Sequence, residues 1–347
     1  MKAVVIEGKK IIKYRDVEDP NIANDEVLIN VKYCGICGTD IALYLGEMAY
    51  LQTGEQKYPF IPGHEWSGEV VDIGNNIKNF KVGDRVTGDV SIGCGKCGDC
   101  REGRFNLCNN RFEVGCYRNK SGGMAEYIKM PERHLYKIPK NVDFMGGAIV
   151  EPLATAVHGI KRKIFDLNEN ILITGGGFIG ILAAQVASAS KSTTVVLTGR
   201  TKEKLDAAVE CGIENVVNIK ERDLQEYLKN LGILDNINFC VECSGNIDVL
   251  KQCIEIVRPG GDISIIGFYE SNETNINFDD ISLKNLEIHG VLASPNCFKS
   301  AISLLEKGLI KYKPLVTEIF ELREIDDAIK FILDRKNKSI RVMLKIG

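Results

Sequence analysis

The sequence lacks three features that would each point to a particular class of protein. No apolar run approaches the ~18 residues that a membrane span needs, and the N-terminal residues MKAVVIEGKKIIKYRD lack the apolar core of a signal peptide. Lys and Arg form no dense cluster, and a formal net charge of -3 gives no reason to expect a nucleic-acid partner. We therefore expect a cytoplasmic protein with no membrane or nucleic-acid partner, and 347 residues predict about two domains.

Histidine is also scarce, with four residues, whereas cysteine is abundant, with 12. Four of the cysteines, Cys94, Cys97, Cys100 and Cys108, follow the spacing C-x2-C-x2-C-x7-C. Two-residue spacers let successive thiolates surround one ion, so this run predicts a structural zinc site with four protein ligands. Two alternatives stay open: an iron–sulfur cluster, whose run ordinarily continues with a three-residue spacer and Cys-Pro, and four unrelated thiols.

The pattern of apolar residues changes along the chain. Up to about residue 150, short segments such as EVLINVKYCGI and DRVTGDV are separated by glycine turns and predict a β-rich, barrel-like domain. From about 170 to 290, strands such as ILITG alternate with helices such as FIGILAAQVASA, which predicts a doubly wound parallel sheet. We therefore predict a β-rich domain of residues 1–155, completed by 293–347, and a dinucleotide-binding Rossmann domain of residues 156–292.

A glycine-rich loop follows the strand ILIT and precedes a helix. It reads G-x-G-x-x-G and comprises Gly175, Gly177, Phe178, Ile179 and Gly180. Glycines at these places allow a tight turn and a close backbone approach, so a pyrophosphate can bind at the helix N-terminus. A turn without a ligand is the alternative.

The end of the next strand, VVLTGRTKEK, bears on the choice of cofactor. NAD enzymes of this fold place an Asp or Glu there to bind the ribose hydroxyls, but this chain has Gly199 followed by Arg200. Arg200 can form a charge-assisted bond to a 2′-phosphate, with Thr198, Thr201 and Lys204 as further donors. The sequence therefore predicts NADP preferred over NAD. The alternative is that Arg200 points into solvent and either cofactor serves.

A second group of metal-ligand types is spread over three motifs. CGICGTD and PGHEWSG offer Cys37, His64 and Glu65, and VEPLATAVHG adds Glu151. One thiolate, one imidazole and one or two carboxylates can hold zinc and leave a position open for water or substrate. Cys34 is a competing thiol, and its apolar strand context predicts burial instead.

Together these motifs resemble the zinc-dependent medium-chain alcohol dehydrogenases, in particular the polyol branch of sorbitol, butanediol and galactitol-phosphate dehydrogenases. The markers GICGTD, GHEWSGEVVDIG, KVGDRV, the four-cysteine run, VEPLATAVHG and GGGFIG follow one another in the family's order and spacing. The resemblance implies an α/β protein with a GroES-like β-rich catalytic domain, a Rossmann domain and a catalytic zinc in the cleft between them. It also implies a homotetramer or homodimer, with the strand LEIHGVL (286–292) pairing across a two-fold axis. An internal strand is the alternative.

The family's pattern also implies a role for each matching residue. Cys37 and His64 correspond to zinc ligands. Glu65 corresponds to a carboxylate that binds zinc either directly or when the zinc-bound water leaves. Glu151 corresponds to a carboxylate that is linked to zinc through a water molecule. Thr39 corresponds to the hydroxyl that hydrogen-bonds the substrate oxygen. The implied reaction is hydride transfer between NAD(P) and a secondary alcohol of a polyol, a sugar alcohol with or without phosphate, or a vicinal diol.

Two departures and two alternatives accompany this prediction. Ala42 stands where simple alcohol dehydrogenases often have a histidine that relays the proton. The segment GVLASPNCF, near residue 291, lacks the arginine that sorbitol-type enzymes have after the GV. A threonine-dehydrogenase-like enzyme and a non-catalytic nucleotide sensor are the competing hypotheses. We expect His134, His158 and His289 to be packed structural residues.

Overall fold

The computed structural model describes most of the chain and divides it into two units. The described residues are 1–163, 168–189, 194–269, 275–334, 336 and 338–347. Unit 1 consists of Met1–Pro152, Ala293–Glu306 and Val316–Gly347, and unit 2 consists of Leu153–Leu292 and Lys307–Leu315. Among the described residues, no helix is long and apolar enough to cross a membrane.

The N-terminal part of unit 1 is rich in short strands. Its strands are β1 Lys2–Gly8, β2 Ile11–Asp16, β3 Glu26–Gly35, β4 Glu65–Ile73, β5 Arg85–Gly88, β6 Ser91–Ile92, β7 Phe112–Glu113, β8 Tyr127–Pro131 and β9 Leu135–Lys137. Its helices are α1 Gly38–Leu45, α2 Ala49–Gln52 and α3 Gly98–Arg101, with 3-10 turns at Phe105–Leu107 and Glu132–His134. Helix α4, Phe144–Ile160, begins in unit 1 and continues into unit 2 after Pro152. Alternation places Val27, Ile29 and Val31 of β3 in the core, where they pack with Trp66 of β4.

Unit 2 alternates strands and helices as the sequence predicted. Its strands are β10 Asn170–Thr174, β11 Thr194–Gly199, β12 Asn215–Asn218, β13 Ile237–Glu242, β14 Val257–Ile265 and β15 Glu287–Gly290. Its helices are α5 Phe178–Ser188, α6 Lys202–Glu210, α7 Leu224–Asn230, α8 Ile247–Ile256 and α9 Phe278–Leu283. All neighbouring strands are parallel, in the order β12-β11-β10-β13-β14-β15. This is the strand order of a Rossmann fold, so the predicted doubly wound sheet is confirmed.

The remaining elements return to unit 1. They are α10 Phe298–Glu306, β16 Val316–Glu321, α11 Ile325–Leu333 and β17 Arg341–Lys345, with 3-10 turns at Lys313–Leu315 (in unit 2) and Leu322–Glu324. β17 pairs antiparallel with β3, and Leu344 lies opposite Cys34. The sheet of unit 1 therefore runs β16-β17-β3-β4-β5-β9, with β8 also pairing with β3. Strands from opposite ends of the chain thus form one sheet.

The predicted strand LEIHGVL is shorter in the structure than in the sequence pattern. Only Glu287–Gly290 forms β15, which lies at the edge of the unit 2 sheet beside β14. The first residue of the predicted strand TTVVLTG, Thr193, lies outside the described residues, and β11 begins at Thr194.

Candidate active site

The ends of two paired strands bring three predicted metal ligands together. β3 and β4 pair antiparallel with Gly35 opposite Glu65. Cys37 caps helix α1 two residues after β3 ends, and His64 immediately precedes β4. The ligand atoms of Cys37, His64 and Glu65 all lie within 4.8 Å of one another, and we call these three residues the catalytic group.

Glycine at position 35 makes room for the carboxylate of Glu65. A Cβ atom on Gly35 would lie 2.3 Å from Glu65 Oε2, a distance that no side chain tolerates. Gly63, with a φ of +97°, is equally confined, because a Cβ there would lie 2.8 Å from Cys34 Sγ. Cys34 itself is fully buried, burial raises the pKa of its thiol, and it lies outside the catalytic group.

A buried ion pair holds one oxygen of Glu65 and leaves the other free. Arg341 Nη2 of β17 donates to Glu65 Oε1 at 2.7 Å, and both side chains are almost fully buried. Glu65 Oε2 is buried and has no hydrogen-bond partner. An orphaned carboxylate oxygen beside a thiol and an imidazole is the donor set that zinc requires, so the residues present fit a zinc ion. The sequence did not predict Arg341, although a single arginine opening the apolar strand RVML is a signal for a buried charge.

Asp40 connects the two loops that carry the catalytic group. Its carboxylate accepts hydrogen bonds from the backbone N–H of Cys37 at 2.8 Å and of Gly63 at 3.2 Å. Its Oδ1 lies 3.7 Å from His64 Nδ1. Burial lowers the pKa of His64, but Asp40 and Cys37 outweigh burial and hold that pKa well above its usual value. Asp40 therefore joins the loop of Cys37 to the loop of His64 and places a negative charge beside the imidazole.

Glu151 and Thr39 lie outside the catalytic group. Glu151 is buried in α4. Burial raises its pKa to about 7; the charge of His64 opposes this rise in pKa, and the charge of Glu65 adds to the rise. Its carboxylate thus lies within electrostatic reach of both ligand types. Thr39 is partly exposed in the first turn of α1, two residues after Cys37.

The four-cysteine lobe, residues 94–108, brings its thiols together within one loop. The sulfur atoms of Cys94, Cys97, Cys100 and Cys108 lie within 4.8 Å of one another. Cys100 N donates to Cys97 Sγ and Cys94 N donates to Cys108 Sγ, both at 3.5 Å. Backbone N–H groups of residues 96 and 97 lower the pKa of Cys94 to about 6. Backbone donors of this kind stabilise thiolates, which suits a tetrahedral zinc site.

The glycine loop of unit 2 has the close contacts that the motif predicts. Gly175 has a φ of +103° and its N–H donates to Thr198 O at 3.1 Å. A Cβ on Gly180 would lie 1.9 Å from Gly175 O, so α5 can pack this closely on β10 only with glycine there. Gly177 is the N-cap of α5, which begins at Phe178 and continues with Ile179. The N-terminal end of α5 thus directly follows the loop, in the arrangement that the motif predicts for a pyrophosphate site.

The residues predicted to select the cofactor follow β11. Thr198 is buried, Gly199 ends the strand, and Arg200 is exposed. Lys204 of α6 is half-buried, and this burial lowers its pKa. A Cβ on Gly199 would lie 2.7 Å from the Leu205 side chain, so the missing carboxylate also reflects tight packing here.

The three remaining histidines differ in burial. His134 is buried, with Nδ1 3.2 Å from Asp89 Oδ2, and His158 is partly exposed on α4. His289 is not a packed core residue, because its side chain is 23% exposed on the edge strand β15, 3.4 Å from Asp262 Oδ1. Lys163 Nζ already lies 2.9 Å from the same carboxylate and supplies the cation there.

Comparisons with known proteins extend over nearly the whole chain. The model of the alcohol dehydrogenase GroES-like domain matches residues 23–140, and that of the zinc-binding dehydrogenases matches residues 179–307. Sorbitol dehydrogenase of Bacillus subtilis (strain 168) is 32% identical over 99% of this chain and 97% of its own length. L-threonine 3-dehydrogenase of Vibrio vulnificus (strain CMCP6) is 34% identical over 95% of this chain and 94% of its own length. A zinc-binding dehydrogenase of Sinorhizobium meliloti 1021, solved bound to NADP, has a TM-score of 0.90 at 32% identity and covers 99% and 98% of the two chains.

Proposed function

The chain belongs to the zinc-dependent medium-chain alcohol dehydrogenases, and we propose that it transfers a hydride between a secondary alcohol of a polyol or vicinal diol and NADP. The observation that carries this proposal is the catalytic group with its orphaned Glu65 oxygen, because a cation held there polarises a hydroxyl. The sorbitol dehydrogenase relative supports the polyol class. The two carboxylates, Glu65 and Glu151, add acceptors for further substrate hydroxyls.

We infer two zinc ions per chain with different tasks. Cys37, His64 and Glu65, with Glu151 nearby, would hold the catalytic ion, and the four-cysteine lobe would hold a structural one with no open position. A zinc ion held by the catalytic group would supply a Lewis acid that lowers the pKa of the substrate hydroxyl, and a bound nicotinamide would supply the hydride acceptor.

The chain's own residues then bind the substrate and carry its proton away. The Thr39 hydroxyl accepts a hydrogen bond from the reacting hydroxyl and passes the proton on. Ala42 has no group that could receive that proton, so it leaves through water beside Glu65 or Glu151. Asp40 holds together the two loops that carry Cys37 and His64, through its hydrogen bonds from Cys37 N and Gly63 N.

A substrate panel with metal analysis tests this function. Purified protein is assayed with diols, unphosphorylated polyols, polyol phosphates and L-threonine, each with NAD and NADP, and zinc is counted on the same sample. We expect turnover of a diol or polyol and two zinc ions per chain. Preferred oxidation of threonine would favour the second candidate, to which the Vibrio vulnificus relative points. Absence of turnover with every alcohol would favour a nucleotide sensor.

The proposed preference for NADP rests on Arg200 and Lys204. Lys204 is half-buried in α6, where a 2′-phosphate would compensate for the loss of water around its ammonium group. We expect Arg200→Ala to lower the NADP-to-NAD ratio of kcat/KM by about 10- to 150-fold, the range for one charged hydrogen bond. Lys202→Gln is the control, since Lys202 lies two residues after Arg200, in the first turn of α6, and is exposed and paired with Asp206. An unchanged ratio in Arg200→Ala would contradict the assignment.

The proposed oligomer rests on the exposed edge of the unit 2 sheet. β15 has a neighbour on one side, and Ile288 in its middle is 37% exposed. Pairing of this strand with a second copy would cover both the open backbone groups and this side chain. Light scattering should therefore give a dimer or tetramer mass, and a monomer mass near 38.4 kDa would contradict it.

A further inference from the structure

Two loops meet where the strand order of the unit 2 sheet reverses. β10 lies between β11 and β13, so the chain leaves β10 in one direction and resumes on its other side with β13. In open parallel sheets, ligands bind at such a point, at the carboxyl ends of the strands. The glycine loop follows β10, and residues 243–246, which we call the β13 loop, follow β13 and lead into α8.

The β13 loop and the glycine loop are in close backbone contact. Cys243 N donates a hydrogen bond to Thr174 O, the last residue of β10, at 2.9 Å. A Cβ on Gly175 would lie 2.8 Å from Ser244 N and 3.0 Å from the carbonyl carbon of Cys243. Because these contacts are so tight, a shift of the β13 loop would change the shape of the glycine loop, where a pyrophosphate would bind.

One buried side chain holds the β13 loop in place. Glu242 ends β13, and its side chain is fully buried. Its Oε1 accepts hydrogen bonds from Ser244 N at 2.6 Å and Gly245 N at 3.1 Å, and also from the Ser244 hydroxyl. Hydrogen bonds to a carboxylate are roughly twice as strong as those between neutral groups. The carboxylate therefore fixes the loop more firmly than a neutral acceptor would.

The other oxygen of Glu242 joins the β13 loop to the segment that follows β14. The Tyr269 hydroxyl donates to Glu242 Oε2 at 2.7 Å. Burial raises the pKa of Tyr269, and this hydrogen bond raises it further, so the phenol stays protonated and can donate. A Cβ on Gly267 would lie 2.4 Å from Gly245 N and 2.7 Å from Glu242 Oε2. Both segments are thus packed around one carboxylate.

Glu242 can act on a cofactor only through the β13 loop. The carboxylate is buried and cannot contact a ligand, whereas Ser244 and Asn246 of the loop are exposed. We propose that Glu242 is a positioning residue for the dinucleotide, because it holds the β13 loop against the glycine loop and so fixes the crevice in which the cofactor binds. This inference rests on the proposed function, which requires a dinucleotide. Arg200 and Lys204 follow a different strand, β11, so the loss of Glu242 should affect NAD and NADP alike.

Direct binding of the reduced cofactors tests this role without any turnover. The Kd values for NADPH and NADH are measured from nicotinamide fluorescence on the purified protein. For Glu242→Gln we expect both Kd values to rise by about 10- to 150-fold, the range for one charged hydrogen bond, because the amide nitrogen that replaces one oxygen cannot accept a hydrogen bond. Metal content, and KM for the alcohol at saturating cofactor, should stay at their wild-type values.

Tyr269→Phe keeps the test decisive if Glu242→Gln folds poorly. It removes one donor to Glu242 and leaves the bonds to the β13 loop in place, so both Kd values should rise by only about 2- to 10-fold. Glu169→Gln is the matched control. Glu169 is also a buried carboxylate of unit 2, but it precedes β10, at the end of the strand away from the glycine loop, and pairs with Lys163. Its substitution should lower Tm and leave both Kd values unchanged.

Three outcomes would overturn the inference. Unchanged Kd values in a folded Glu242→Gln, or an equal rise in Glu169→Gln, would mean that Glu242 only supports the fold of unit 2. A rise confined to NADPH would mean that Glu242 acts on the 2′-phosphate instead. A wild type that binds neither cofactor would overturn the proposed function and this inference together. Cofactor binding without turnover of any alcohol would contradict the proposed function alone.

Discussion

The catalytic group and the four-cysteine lobe both gather side chains of metal-ligand type, but the chain builds them differently. The lobe uses thiols from one short loop, residues 94–108, whose geometry follows from local spacing and backbone N–H donors. The catalytic group uses Cys37, His64 and Glu65 from two strand ends, and it needs Arg341 to compensate the buried carboxylate. A local site can form as soon as its own loop has folded. A site made by strand pairing forms only when the strands of the sheet have paired in the correct register. We therefore expect the two sites to respond differently to the same kind of change.

The largest difference is expected from removing one thiolate at each site. Cys37→Ser should abolish turnover while the fold and one zinc per chain are retained, because the catalytic group loses its soft ligand. Cys97→Ser should also leave one zinc per chain, but its main effect should be a lower Tm. Metal analysis, thermal unfolding and the alcohol assay on the same samples distinguish these results. The reverse pattern would show that the two sites have been exchanged.

The next largest effect is expected at the buried ion pair. Arg341→Gln removes the partner of Glu65 and leaves a buried carboxylate, which should cost about 3–5 kcal/mol of unfolding free energy. Urea unfolding monitored by circular dichroism measures this loss. An unchanged unfolding free energy would mean that another charge compensates Glu65.

A smaller effect is expected from closing the space beside Glu65. Gly35→Ala places a Cβ where Glu65 Oε2 now lies, so the carboxylate must move and zinc affinity at the catalytic group should fall. The strain should cost about 1–3 kcal/mol, and zinc in the lobe should be unaffected. Competition with a chelator, followed by metal analysis, separates the two zinc populations. Equal loss of zinc from both sites would contradict the separate construction of the two groups. Gly98→Ala is the matched control, since no atom lies within 4 Å of a Cβ at that position of the lobe.

The smallest effect is expected from the ion pair on the lobe. Arg104 donates to Asp99 and Glu102 at the surface, where solvent screens the charges. Arg104→Gln should therefore leave zinc content and Tm within experimental error of the wild type. A loss comparable to that of Arg341→Gln would show that the lobe, too, depends on charge compensation.

The sequence predicted what local patterns encode. The four-cysteine lobe, the glycine loop and the alternation of strands and helices in unit 2 each depend on residues close together in the chain. The grouping of Cys37, His64 and Glu65 was predicted from their ligand types and then from the family resemblance, because no local spacing rule joins a cysteine to a histidine 27 residues later. Their roles as ligands stay predictions until metal is measured.

What the sequence could not predict depends on contacts between distant residues. Arg341 pairs with a residue 276 positions earlier, and only the β3–β17 pairing makes that contact. The space at Gly35 follows from the register of β3 with β4. Nothing in the sequence distinguishes this glycine from the other glycines among the 34 of the chain. The surroundings of His289 also depend on strand pairing, because β15 lies beside β14 and places His289 Nε2 3.4 Å from Asp262 Oδ1.

The pairing of β17 with β3 also has a consequence for biosynthesis. At about 5–20 residues per second, the 276 residues between Glu65 and Arg341 take roughly 14–55 s to be translated. The lobe can take up its metal early in that interval, since its four thiols emerge within one loop. The catalytic group must wait, with its carboxylate uncompensated, until the last strand of the sheet leaves the ribosome. We therefore expect the ligand set of the lobe to be complete during synthesis before that of the catalytic group.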